Sequence, residues 1–224
     1  MMKQLLTISC ILLSIFPVYS QEMSKRQFPP LEFYFSAGGE YNNPGNLNER
    51  LGALGVDKAD KFGMAGGFGL SYRIQHVILG LNTSISSSSF RTEDDNHVKN
   101  SYIGFYLSTN ALRANNLIIS PQVGIGYGET RARFVKEGVT GTFDEFLTTT
   151  SNRVQLENKG EALDFGIAFK KAKPNTDFYK TLFKIGYRHG LKEKEWKITS
   201  ASVTGAPTDR IRNFYVQLLF GFGR

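Results

Sequence analysis

Phe214-Tyr215-Val216-Gln217-Leu218-Leu219-Phe220-Gly221-Phe222-Gly223 ends the chain one residue before Arg224. Its even positions, Phe214, Val216, Leu218, Phe220 and Phe222, are all large and apolar. Its odd positions are Tyr215, Gln217, Leu219, Gly221 and Gly223. Strict period-two alternation is the signature of a β-strand with one apolar face, because successive side chains leave a strand on opposite sides.

Seven earlier segments repeat the pattern. Leu31, Phe33, Phe35 and Ala37 oppose Glu32, Tyr34, Ser36, Gly38 and Glu40. Phe62, Met64, Phe68, Leu70 and Tyr72 oppose Gly63, Ala65, Gly67, Gly69, Ser71 and Arg73. Further strands are expected near 76–86, 102–110, 117–128, 163–170 and 183–188. Ile78, Ile118, Leu182 and Leu219 break the pattern by sitting on the polar face. Pro121 lies inside the fifth segment and lacks a ladder N–H, so it should mark a bulge or a strand's beginning. Long and short links alternate: 42–61, 87–98, 132–156 and 199–209 are long, whereas 74–75, 111–116 and 171–178 are short. Bacterial membrane barrels have this asymmetry, with short turns at one end and longer outer loops at the other.

The same alternation would suit a lipocalin-like soluble barrel with apolar side chains pointing inward. The polar face decides between them. A solvent-facing strand surface is poor in Gly, yet this face is mainly Gly, Ala, Ser and Asn, with isolated charges. Small side chains fit the cramped lumen of eight strands. The apolar face then meets lipid, with Tyr41, Tyr72, Tyr127, Tyr187 and Trp196 near strand ends as an aromatic girdle. The expectation is an all-β, eight-stranded antiparallel up-and-down transmembrane barrel over residues 31–224.

Residues 1–20 read as a signal peptide: Lys3, an apolar run from Leu5 to Val18, and Val18-Tyr19-Ser20 before the cut. Residues 21–30 would be a periplasmic N-terminal segment. The leader carries Cys10, the only cysteine, so the mature chain has no thiol or disulfide chemistry. Cys10 fits a lipoprotein acceptor poorly. The formal charge of +7 falls to about +6 on losing Lys3, without the clustered basic runs of a nucleic-acid binder. After the leader no apolar run is long enough for a spanning helix.

On these residues the chain resembles the small outer-membrane barrels of the OmpA transmembrane-domain and OmpX type, within the broad outer membrane protein beta-barrel domain family. The resemblance spans the mature barrel and rests on pattern. Tyr215, Phe220 and Phe222 look like the C-terminal assembly signal of such proteins. Gln217 stands where glycine is usual, and Gly223-Arg224 replace the frequent terminal aromatic. The resemblance implies an outer-membrane location with both termini periplasmic, contact with outer-membrane lipid, and handling by the barrel-assembly machinery. No peptidoglycan-binding domain is expected after the barrel, so the resemblance does not imply an OmpA-like tether.

Seven charges have lumen parity: Glu32, Glu40, Arg73, Asp164, Lys170, Lys184 and Arg188. An internal salt-bridge network is expected, with a selective pore as the alternative. The acidic run Arg91–His97 lacks the spacing and glycine of a calcium loop. No catalytic, cofactor or metal site is expected. A lipid A deacylase-like hydrolase would need a Ser–His–acid set, such as Ser87 to Ser89 with His97 or His189 and Asp94, and no spacing demands one.

Two further expectations concern the loops. Leu47, Leu51 and Leu54 share a helical face, which predicts a short amphipathic turn capping the barrel mouth. The fifth and sixth strands can run on through Arg131, Arg133 and Val135 and back through Val154 and Leu156. The seventh can continue through Lys192, Lys194 and Trp196, facing a strand that rises from Arg210. Such hairpins would stand above the membrane, where a free edge could accept a protein partner's strand. The function expected is that of a structural or interaction barrel whose outer hairpins and loops contact a partner or shield the surface.

Overall fold

The structure is a computed structural model describing residues 31–74, 76–88, 97–109, 112–114, 117–135, 153–171, 180–198 and 205–223. Residues 1–30, Arg91–Asn96 and residues 136–152 lie outside these. Eight long strands carry the fold: β1 (Leu31–Asn42), β2 (Phe62–Ile74), β3 (Val77–Ser87), β4 (His97–Thr109), β6 (Leu117–Val135), β7 (Arg153–Lys171), β8 (Lys180–Gly190) and β12 (Arg212–Gly223). Each pairs antiparallel with the next, and β1 pairs with β12 from Glu32↔Gly223 to Asn42↔Asn213, so the sheet closes on itself. Closure leaves no unpaired edge through the body of the barrel.

The period-two pattern becomes an inside and an outside. Along β12, Tyr215, Gln217 and Leu219 are buried, while Phe214, Val216, Leu218 and Phe220 are exposed. The other strands follow suit, with Phe105 70 % exposed. The small residues make room for large ones. The rings of Tyr34, Tyr106, Tyr102 and Tyr215 lie over Gly69, Gly80, Gly104 and Gly186; a Cβ added at Gly186 would stand 2.3 Å from the Tyr215 ring. Glycine on the lumen face is thus a packing requirement set by the aromatic residue beside it.

Pro121 lies within β6, opposite Ile167 of β7. On its other side the partner changes. Ser108 of β4 faces Gln122, whereas Leu112 of the short strand β5 (Leu112–Ala114) faces Ile119. The partner chain advances four residues while β6 moves three, which is a bulge-type slip across Pro121. Ser108 Oγ donates to the Pro121 carbonyl at 2.9 Å across this interruption.

At the long-link end, β6 and β7 run on together as far as Val135↔Arg153. The expected continuation of β8 is not what the chain does. β8 stops at Gly190 and the chain folds back over the barrel. Lys194–Glu195 (β9) pairs with Thr208–Asp209 (β11), and Lys197–Ile198 (β10) pairs with Glu157 and Leu156 of β7. Part of the β7 edge is therefore filled by the chain's own strand. The link after β1 forms helix α1 (Gly45–Ala53), which turns Leu47 and Leu51 inward. Leu54, expected on the buried face, is 65 % exposed because the helix has ended.

Candidate functional site

The lumen is layered. At the end nearest the chain termini, Ile78 and Leu219 line a cavity of about 60 Å³ together with Glu32, Arg73, Lys170 and Lys184. Ile118, at the start of β6, is buried at the same level. A cavity of this size has room for a few waters. Arg73 approaches Glu32 at 3.9 Å. In the next layer Asp164, fully buried, accepts from the Tyr215 hydroxyl at 2.7 Å and from Gln122 Nε2 at 3.4 Å. Lys184 Nζ lies 5.1 Å from the Tyr215 ring centroid and 5.6 Å from that of Tyr106.

The tightest pair is above. Arg188 Nη1 and Glu40 Oε2 lie 3.2 Å apart with both side chains 1 % exposed. The other Glu40 oxygen accepts from Asn213 Nδ2 at 2.6 Å. The guanidinium plane is held by Tyr102 and Tyr215, whose ring centroids lie 4.2 and 4.6 Å away. Two charges leave water at large cost, which the Asn213 bond and the two ring faces offset in part, while Arg188 Nε has no hydrogen-bond partner among the described residues. Asn42, Asn100 and Ser86 form a hydrogen-bonded rung over this layer, at 2.8 and 3.0 Å.

Over that rung sits an apolar cap. Leu47 and Leu51 of α1 pack with Ala59, Val98, Ala132, Phe134 and Trp196 as one buried cluster, joined by Leu156. Trp196 is 2 % exposed, so its expected place in the aromatic girdle is corrected. It is the cap's central ring, drawn in because Lys194–Ile198 folds back. Asp209 holds it there. One carboxylate oxygen accepts from Trp196 Nε1 at 2.8 Å and from the Leu47 N–H at 3.0 Å; the other accepts from the Asn46 N–H at 3.1 Å. A carboxylate at a helix N-terminus satisfies orphan amides and meets the positive end of the helix dipole. Asn48 exchanges two hydrogen bonds with the Ala59 backbone, fixing the return of the first link.

Sequence reasoning missed Asp209 and the role of Trp196. A faint signal existed: α1 has no side-chain N-cap and no acidic residue in its first turn. A helix so uncapped needs an acceptor from elsewhere. Of the proposed assembly-signal residues, Tyr215 is wholly buried in the lumen and Phe220 faces outward; the Phe222 side chain lies outside the described residues.

The catalytic reading finds no triad among the described residues. His189 meets Arg210 Nη1 at 3.1 Å and the Tyr187 hydroxyl at 3.4 Å, and His97 stands opposite Arg133. Burial and the neighbouring cations push both imidazoles below their ordinary range: Arg133 and Lys99 for His97, Arg210 and Arg212 for His189. Among the described residues neither has the carboxylate partner that would orient it as a general base. Ser88 Oγ is committed to the Val98 N–H at 2.9 Å. Asp94 and Ser89 lie outside the described residues. Among those described, no group of three potential ligands could hold a metal ion.

The exterior decides what surrounds the barrel. From Leu117 to Tyr127, eleven positions of β6, the outward side chains are apolar or Pro121, and charges begin at Glu129. Eleven tilted residues match one bilayer crossing. Exposed Tyr41, Tyr127 and Phe214 ring one end of this band and Tyr72 the other. A continuous apolar exterior of this extent would aggregate in water. The chain is a membrane-spanning β-barrel. The barrel's eight antiparallel strands, apolar outer band and aromatic borders are the architecture of the small outer-membrane barrels. Among the described residues no helix is long and apolar enough to cross a membrane.

No family model matches the barrel, and no curated protein does. Solved structures similar to it include Neisserial surface protein A (12 % identity, 87 % of this chain and 97 % of that one, TM-score 0.49). Ail, the attachment invasion locus protein of Yersinia pestis, is another (12 % identity, 85 % and 98 %, TM-score 0.45). The outer membrane protein OprG from Pseudomonas aeruginosa is a third (13 % identity, 87 % and 96 %, TM-score 0.43). At such values the likeness carries no information about function, and the fold rests on the strand ladder itself.

Proposed function

We propose that the protein is a closed surface anchor of the outer membrane: a non-conducting barrel, termini in the periplasm, that displays a rigid extramembrane cap for contact with a partner. The observation carrying this reading is continuity. The Glu40–Arg188 pair is buried in the lumen, the Asn42–Asn100–Ser86 rung lies over it, and the Trp196 core sits on that rung, so barrel and cap are one packed body. A channel needs a wet path through that body, whereas a display platform needs the rigidity that packing provides.

Two measurements test it. In planar bilayers the folded barrel should give no discrete conductance steps; regular steps abolished by blocking the lumen would replace the anchor with a channel. Leu54 is exposed at the end of α1, and the processed chain would lack cysteine. L54C should therefore react with a membrane-impermeant maleimide on intact cells. Reaction only after the outer membrane is permeabilised would reverse the orientation.

A further inference from the structure

Directly above the aromatic border, the outer surface of β4, β6 and β7 is a grid of directly opposed residues. The lowest row is Ile103–Tyr127–Glu161 and the next Ser101–Glu129–Lys159. Above these come Lys99–Arg131–Glu157 and then His97–Arg133–Gln155. Like charges directly opposite one another destabilise a sheet, yet Lys99 faces Arg131 and a histidine faces Arg133.

The carboxylates in reach are already engaged. Lys159 sits between Glu129 and Glu157, at 3.1 and 2.9 Å, and Arg131 Nε also takes Glu129, at 2.7 Å. Among the described residues neither Lys99 nor Arg133 has a carboxylate partner. In the three upper rows four cations, Lys99, Arg131, Arg133 and Lys159, thus face two anions, Glu129 and Glu157, a local excess of +2 that Glu161 of the lowest row reduces to +1 over the whole grid.

Height identifies what would balance that excess. Arg131 lies four residues beyond Tyr127, which for a tilted strand is about 10 Å along the membrane normal. That is the headgroup zone, and long cationic side chains reach down into it. Below the cations, exposed Ile103, Phe105, Ile125 and Tyr127 offer an apolar track on the same two strands. A ligand matched to both halves is amphipathic, with an anionic head and acyl chains.

We propose that the outer face of β4 and β6 binds the phosphate of an anionic lipid headgroup, with Lys99 and Arg133 as its main donors and Arg131 between them. Lys99 and Arg133 are diagonal neighbours, roughly 7–8 Å apart at the backbone, a span that one phosphate bridges between two long side chains. Arg133 supplies a planar fork suited to phosphate oxygens and Lys99 a point charge. The acyl chains lie on Ile103 and Ile125. This inference rests on the membrane-barrel reading.

The test uses the full mature chain folded in zwitterionic detergent and mixed with phosphatidylglycerol and phosphatidylcholine. Retained lipid is quantified by native mass spectrometry. The wild type should retain phosphatidylglycerol in preference, and K99Q/R133Q should lose about three- to tenfold of that preference, the scale of two exposed ion pairs. K58Q/K61Q, on the first link, should retain it. Equal retention by wild type and K99Q/R133Q overturns the proposal. Displacement of the lipid by inorganic phosphate as readily as by added phosphatidylglycerol overturns the lipid assignment. A wild type that shows no preference, while E93Q/D94N/D95N does, assigns the patch to the chain's own acidic run and also overturns it. A gel shift on boiling, run on every sample, separates these outcomes from failure of the barrel itself.

Discussion

Asp209 accepts a 2.8 Å hydrogen bond from the indole of Trp196 while its two oxygens also take the first amides of a helix more than 160 residues earlier in the chain. One carboxylate therefore joins the first and last long links over the barrel mouth. Removing it leaves three donors without their charged acceptor. Hydrogen bonds to charged groups contribute about 1.5–3 kcal/mol each, and these three share one group. D209A is expected to cost the cap about 2–4 kcal/mol. Trp196 is the only tryptophan, so its emission should shift to the red, with the gel mobility of the unboiled barrel unchanged. A blue-shifted, wild-type spectrum would show that the cap holds without Asp209.

The Glu40–Arg188 pair makes a prediction of opposite character. Breaking a buried pair by removing one partner leaves a charge uncompensated and typically costs about 3–5 kcal/mol. E40A and R188A should each lower unfolding stability in urea and vesicles by that order, whereas E40L/R188M should be milder than either alone. Additive losses in this double-mutant cycle would mean that the two charges do not interact.

Tyr102 and Gly104 test the packing of rings over glycines. A Cβ at Gly104 would stand 2.2 Å from the Tyr102 hydroxyl. G104A should cost about 1–3 kcal/mol through overpacking. The Tyr102 hydroxyl is buried without a hydrogen-bond partner among the described residues, so Y102F should be neutral or stabilising and should relieve part of the G104A loss in the double variant. If Y102F alone destabilises by more than about 1 kcal/mol, the hydroxyl has a partner and this account of it fails.

His97 gives a pH dependence outside the membrane. Burial, then Arg133 and Lys99, lower its pKa, so the folded chain resists protonation more than the unfolded chain does. The stability this residue contributes is present above the unfolded value of about 6.5 and declines as pH falls from there through the folded value. NMR titration should place His97 below 6.5, and H97Q should flatten the acid limb of the stability profile. A His97 value at or above 6.5 in lipid-free detergent would contradict the cation-crowded surroundings.

The barrel was legible because one face of each strand is so uniform. Phe105, Phe35 and Phe68 could not alternate with Gly and Ser in water without aggregating, and glycine on the opposite face read directly as a crowded interior. The parity that marked Glu40 and Arg188 as lumen residues also placed them, since register converts parity into position. The cap was legible only in part. Leu47 and Leu51 betrayed a helix, but Asp209 acts at a sequence distance that no local pattern encodes. Trp196 reads as a girdle residue because a tryptophan near a strand end usually belongs there. The chain reverses after Gly190 instead, and tertiary packing overrides the propensity of Lys192–Trp196 to extend β8.

Because α1 follows β1 and Asp209 precedes β12, the cap's central contacts straddle the seam at which the first and last strands meet. The Asp209 contact is thus a clasp across the seam, and an engaged Trp196 reports from the long-link end that the first and last strands have been brought together.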